Sequence, residues 1–208
     1  MSVKTLRARR TVHRSPIDPA VSLTFLETPR LRLRSLRPED ASAAYLAWLN
    51  DPEVLRFRGS KAFPSTMDDL KAYLSSLKSR GDLALAMLLK ENGRHIGNIT
   101  LNSILWVHRS AELSMMIGAK DVWGQGYAKE AIEVLCAHAF NAVGLNRLWA
   151  ESPNPAFNAA VRALGWSHEG TKRQAFLLDG RYVDIECFGL LKEAFLRQQG
   201  AGGHARAD

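Results

Sequence analysis

The sequence predicts an α+β domain with a mixed, mostly antiparallel sheet that contains one parallel strand pair and is flanked by helices. Three observations lead there. Helical patterns come early, a run of strands follows, and the chain ends on a hairpin. Asn92-Gly93 and Asp179-Gly180 each stand between two strand-like runs, the dipeptide chemistry of tight hairpin turns. A long amphipathic helix over 126–143 lies between two strands, a crossover that leaves those strands parallel.

The elements follow in order. "LRLRSL" (31–36) alternates as a strand with one buried face. "RPEDASAAYLAWLN" has Pro38 at a helix start, with Ala44, Tyr45, Trp48 and Leu49 on one face. "STMDDLKAYLSSLKSR" opens with a capping-box pattern, Ser65 to Asp68, and places Leu70, Tyr73, Leu74 and Leu77 at helical spacing. "LALAMLLKE" and "RHIGNITLNSIL" flank Asn92-Gly93, and "SAELSMMIG" (110–118) is a further strand. Ile132, Leu135, Cys136, Ala139, Phe140 and Val143 make one apolar stripe that ends near Gly144. "NRLWAES" is a strand, "NPAFNAAVRALGW" a short helix closed by Gly165, and the last hairpin turns at Asp179-Gly180.

The 208 residues suit one domain, expected over 23–197, between a flexible basic arm (1–22) and a flexible tail (198–208). An apolar share of 46% and a charged share of 24% are those of a soluble globular protein, and no apolar run approaches a membrane span. Five of the basic residues behind the formal charge of +7 fall in the first 17 positions, so the rest carries an ordinary balance. Nucleic acid is therefore not an expected partner. The Arg-rich, acid-poor head is also what a mitochondrial presequence looks like; a disordered arm is the reading adopted. Cys136 and Cys187 sit in apolar patterns without a C-x-x-C partner, which favours a reducing, cytoplasmic setting. His95, His138 and His168 have no metal-ligand spacing, and no metal is expected.

The stretch "DVWGQGYAKEAIEVL" carries the functional signal. Strand, loop with Gly124 and Gly126, then helix is an order that builds an anion site from unpaired first-turn amides. It lacks the third glycine of the dinucleotide fingerprint and the Gly-Lys-Ser/Thr of a P-loop. Pattern alone leaves two readings open, a ligand loop or a simple turn.

Five segments together, "YLAWLNDPEVLRF", "HIGNITL", "VHRSAELSMMIG", "WGQGYAKEAIEVL" and "NPAFNAAVRALGWSHEG" with "DGRYVDIECFGLL", resemble the GCN5-related N-acetyltransferase (GNAT) superfamily. Within it the chain is similar to the branch holding ribosomal-protein N-terminal acetyltransferases and spermidine acetyltransferases. The likeness runs from Leu31 to about Phe195. It implies acetyl-CoA as cosubstrate, held where two parallel strands, here 112–117 and 146–151, splay apart. It also implies pantetheine pairing with Met115, Met116 and Ile117, and a diphosphate on Trp123, Gly124, Gln125, Gly126, Tyr127 and Ala128. Asn154 is implied to touch the coenzyme, with Asn158 beside it. Where the family has Gln or Arg to open the glycine motif, this chain has Asp121.

Direct attack of an amine on a thioester needs a base, an oxyanion donor and a fate for the thiolate. Glu112 is the first candidate base and Glu151, at the end of the facing strand, the second; a strand-end pair with Arg109 is the alternative for Glu112. Asp184 reads as a turn-edge salt bridge. The tyrosine that serves as acid in many relatives falls on Val161, which leaves Tyr182, water or an unaided thiolate. His108 and Arg109 are read as 3′-phosphate contacts or a solvated pair, and Lys129 as reaching phosphate or water. The expected acceptor is a protein N-terminal α-amine. A small amine (polyamine, amino sugar or amino-acid-like) is the alternative, and a non-catalytic acyl-CoA-binding module the rival. A homodimer is compatible with the resemblance.

Overall fold

Alternating burial builds the sheet. In the computed structural model, which describes residues 24–59 and 63–203, β1 (Leu26–Glu27) and β2 (Leu31–Ser35) open the chain, with Leu31 and Leu33 fully buried. The basic arm lies outside the described residues. Then come α1 (Ala43–Asn50), α2 (Met67–Arg80), β3 (Leu83–Leu89), β4 (His95–Leu105) and β5 (Ser110–Ile117). They are followed by α3 (Tyr127–Asn141), β6 (Arg147–Ser152), α4 (Pro155–Ala163), β7 (Ser167–Leu178), β8 (Arg181–Leu191) and α5 (Lys192–Gly203).

These strands form one eight-stranded sheet, ordered β1-β2-β3-β4-β5-β6-β8-β7. Every neighbouring pair is antiparallel except β5 and β6, as the crossover through α3 requires. Each face has its own core. Leu85, Ile99, Leu113, Leu148 and Phe188 pack with the buried stripe of α3 (Ile132, Leu135, Cys136, Ala139, Phe140) on one side. On the other, Ala84, Ala86 and Met116 meet Tyr45 of α1 and Leu70, Leu74 and Leu77 of α2. Burying some 40 Å² of side chain in this way contributes about 1 kcal/mol, so the many leucines of both cores set the stability.

Four local features differ from expectation. Pro38–Asp40 is a short 3-10 turn, and α1 begins later, capped by Ser42, whose hydroxyl accepts from the Tyr45 amide at 3.2 Å. Ala44 is exposed, while Tyr45 carries that face inward. The capping box of α2 is Thr66 with Asp69, one residue beyond the Ser65–Asp68 pattern. Ser65 instead exchanges hydrogen bonds with Asn50, holding the end of α1. And α5 runs to Gly203, past residue 197, the boundary expected for the domain. Both hairpin dipeptides turn as their chemistry demands: Gly93, Asp179 and Gly180 all have positive φ (71°, 49°, 80°).

Candidate active site

The parallel pair is short. Ser110, Ala111 and Glu112 match Arg147, Leu148 and Trp149, and there the pairing stops, although β5 runs on to Ile117 and β6 to Ser152. Arg109 turns its carbonyl toward β6, accepting from the Asn146 amide at 2.7 Å. By strand alternation the backbones of Leu113, Met115 and Ile117 face the same way, into the gap. Met116 does not: its backbone lies in the ladder with Asn98 of β4 and its side chain is buried under α1 and α2.

Two side chains reach the open side of β5. Arg58 donates from Nη1 to the Met115 carbonyl at 3.2 Å, and the Trp123 indole N–H donates to the Ile117 carbonyl at 2.9 Å. Each joins residues remote in sequence or separated by a turn, and no local pattern announces them.

Beyond Ile117 the chain makes a 3-10 turn (Lys120–Val122) and enters the glycine loop. Gly124 and Gly126 both sit in the left-handed region, φ 74° and 85°, and Gly126 caps α3. Around Gly124 an added Cβ would meet nothing within 4 Å, so its reason is conformational rather than steric. The amide of Trp123 is used by the Lys120 carbonyl. Those of Gly124, Gln125, Gly126, Tyr127 and Ala128 have no acceptor among the described residues. These five N–H groups lie at the positive end of a 15-residue helix, where negative charge is favoured.

Charged neighbours brace this loop. Arg30, from the β1–β2 turn, donates to the Gln125 carbonyl at 2.9 Å, pairs with Glu130, and stacks 4.2 Å over the Tyr127 ring. Thr28 donates to the other Glu130 oxygen at 2.7 Å. Asp121, the unexpected acid, is taken up by a two-point contact with Arg94, and that hydrogen-bonded pairing holds its carboxyl below the usual range. Its charge is thus answered outside the loop. The Gln125 side chain donates back to the Asp121 carbonyl at 2.8 Å.

At the closed end of the gap, strand alternation puts Glu112, Ser114 and Met116 on the α1–α2 face, with Trp149 and Glu151 of β6 and Cys187 of β8 beside them. Glu112 is half-buried and makes no hydrogen bond among the described residues. Burial, then the negative charge of Glu151, pushes its carboxyl above the usual range, with Lys172 working against both. Glu151 is held by Lys172. Beside Glu112 the Ser114 hydroxyl meets Thr100 Oγ1 at 2.8 Å and accepts from Asn102 at 2.7 Å, a polar floor. Burial pushes the Cys187 thiol up, and Glu151 adds to it.

Asn154 caps α4 through the Ala156 amide, 3.0 Å from its side-chain oxygen. Asn158, 9% exposed, donates to the Ser152 carbonyl at 3.2 Å and leaves its own Oδ1 buried without a partner among the described residues. Such an oxygen is costly unless a ligand N–H meets it.

Other expectations are placed elsewhere. Arg109 stands at the closed end of β5, opposite the glycine loop, so neither it nor His108 reaches the phosphate end. Lys129 is exposed on the first turn of α3. Val161 is fully buried core, and Tyr182 stands 67% exposed beside the hairpin turn. Asp184 accepts from the Gln174 amide, pinning an irregularity of β7, and forms no salt bridge among the described residues. His95 bonds Gly97 and Asn98 between the rings of Tyr45 and Trp48. Among the described residues no cluster of His, Cys, Asp and Glu could hold a metal, and no helix is long and apolar enough to cross a membrane.

Comparison with known proteins finds a matching family model and similar proteins. The family model for the acetyltransferase (GNAT) domain matches residues 30–167. An uncharacterized N-acetyltransferase of Bacillus licheniformis, p20, is 30% identical over 175 residues, covering 82% of this chain and 97% of that protein. The spermidine N(1)-acetyltransferase of Vibrio cholerae is 28% identical over 105 residues, half of this chain and 60% of that one. A crystal structure of spermidine N-acetyltransferase from Vibrio cholerae with CoA and spermine superposes with a TM-score of 0.73. It covers 81% of this chain and 99% of its own at 22% identity, a likeness of fold.

Proposed function

The chain belongs to the GNAT acetyltransferase family and is an acetyl-CoA-dependent N-acetyltransferase; from that premise we propose that it acetylates a small primary amine, with Glu112 as base. One observation carries the reading: β5 and β6 part after Glu112, and the gap they leave runs from that carboxylate to the five free amides of the glycine loop.

A coenzyme laid in the gap would set its diphosphate on Gly124, Gln125, Gly126, Tyr127 and Ala128. Its pantetheine arm would pair with the backbones of Met115 and Ile117 as an added strand. Trp123 and Arg58 now occupy those carbonyls, so entry of the arm exchanges their N–H groups for its amides. Asn158 offers its unpaired Oδ1 to a donor on the arm, while Asn154 shapes the loop by capping α4. Met116 contributes packing.

The acetyl carbonyl then lies along β5, where an N–H of Met115 or Ile117 can hold the oxyanion. Glu112, unpaired and with its carboxyl pushed above the ordinary range, takes the proton from the attacking ammonium directly or through a water. Glu151 acts on it by charge and is itself tied to Lys172, a supporting role. With Val161 in the tyrosine slot, the thiolate leaves to solvent or a water.

The acceptor reading moves from a protein N-terminus toward a small amine. Arg56, in the segment between α1 and α2, contacts Asp179 at the tip of the β7–β8 hairpin at 3.0 Å, so the two walls of the acceptor side touch. That closure suits a compact acceptor better than a bulky polypeptide. Thiol release from acetyl-CoA across small amines and peptide N-termini tests it: faster turnover of peptides than of every small amine would reverse the assignment.

A further inference from the structure

Arg58 is a half-buried guanidinium at the gap, with no carboxylate paired to it among the described residues. It belongs to the segment that crosses from α1 to α2, where Asp51, Glu53 and Arg56 are each paired. Lys120 meets Asp51 at 2.8 Å and Glu53 at 3.0 Å, and Arg56 meets Asp179. Arg58 makes no ion pair among the described residues; it spends one N–H on the Met115 carbonyl. A guanidinium has five N–H donors in a fixed fork, so most of its capacity is idle.

Its charge is also felt inside the acceptor side. Burial pushes the phenols of Tyr45 and Tyr73 up, and Arg58 works against that rise in both. A cation held partly out of water, without its counter-ion, costs free energy that a bound anion recovers.

We propose that Arg58 receives a carboxylate carried by the acceptor, which makes the acceptor an amino-acid-like molecule rather than a polyamine. The inference rests on the acetyl-transfer reading above and names its substrate class. Glu112 and Met115 are three residues apart on β5, about 10 Å; Glu112 stands on the α1–α2 face, and Arg58 meets the Met115 carbonyl from the segment between those helices. A molecule with an amine at one end and a carboxylate a few bonds away fits between proton acceptor and guanidinium. A second ammonium in the same place would face Arg58 and be repelled. When the pantetheine arm takes the Met115 carbonyl, Arg58 is released to fork onto the carboxylate, so the coenzyme binds first.

The test is thiol release with matched acceptors: the standard amino acids, β-alanine and γ-aminobutyrate, each against its carboxamide, with spermidine as a carboxylate-free polycation. Rates are corrected for the fraction of free amine. The wild type should favour the carboxylate form of its best acceptor by about 10- to 100-fold in kcat/KM, the range of a charged hydrogen bond. Arg58→Gln should erase that preference, and Arg58→Lys should restore part of it. Calorimetry should show both variants binding coenzyme A at least as tightly as wild type, because the arm displaces Arg58 from the Met115 carbonyl rather than gaining a contact from it. Equal use of carboxylate and carboxamide, preferred use of spermidine, or a preference that survives Arg58→Gln overturns this inference alone. No thiol release from any amine overturns acetyl transfer and this inference together.

Discussion

Replacing Gly126 by alanine separates the two jobs assigned to the glycine loop. Gly126 sits at φ 85°, and an added Cβ would come to 3.4 Å from the Arg30 guanidinium, tight but without overlap. The steric cost therefore lies in the backbone, about 1–2 kcal/mol for a left-handed alanine. A stiffer unfolded chain returns roughly 0.5 kcal/mol of it. The net loss of about 0.5–1.5 kcal/mol should lower Tm by about 1–6 °C for a domain of this size. If the backbone swings out of the left-handed region to relieve the strain, the amides of residues 126–128 turn away from the anion. Each lost charged hydrogen bond then costs about 1.5–3 kcal/mol, so coenzyme A should bind about 10- to 150-fold more weakly. Asparagine tolerates this conformation better and should recover part of both losses. Differential scanning fluorimetry and calorimetry read the two effects. A destabilised Gly126→Ala protein that binds coenzyme A as tightly as wild type would refute the cradle.

Glu112→Gln should lower kcat/KM by about 10²–10⁴-fold and leave coenzyme affinity unchanged. Because the active form of Glu112 is the carboxylate and its pKa is raised, activity should appear as pH rises through a value above the ordinary carboxylate range; a variant with wild-type turnover would remove it as base. Neighbouring charges should move that acidic limb in opposite directions: Glu151→Gln toward lower pH, Lys172→Met toward higher pH. Shifts of the same sign in pH profiles of kcat/KM would contradict the arrangement. Thr66→Ala removes the capping box of α2 and should cost about 1 kcal/mol, a Tm drop of about 2–4 °C without a change in KM for acetyl-CoA.

What the sequence reveals of this protein is what local chemistry dictates. Asn92-Gly93 and Asp179-Gly180 turn where they do because positive φ is cheap only for such residues. The stripe from Ile132 to Phe140 is legible because helical spacing puts all of it against one face of the sheet. Competing local solutions blur the picture. Ser65–Asp68 and Thr66–Asp69 are equally good capping pairs on paper, and the second wins because Ser65 is recruited by Asn50. Side chains that act across the fold are invisible. Arg58 and Arg30 meet carbonyls 57 and 95 positions away, with nothing nearby to foretell it. Strand direction corrects the reading of His108 and Arg109, which share a segment with the cleft strand but lie at its far end. The same accounting disposes of Asp121, whose partner Arg94 comes from the turn of a separate hairpin.

The early parting of β5 and β6 has a consequence for the protein before it meets any cosubstrate. Unpaired strands ordinarily lie at the rim of a sheet, where a second chain can zip onto them and begin an aggregate. Here the unpaired stretch is central, between β4 and β6, and not at the rim. Two of its carbonyls, those of Met115 and Ile117, are already covered by a guanidinium and an indole. A surface that is dangerous elsewhere has been moved indoors and given chaperones of its own.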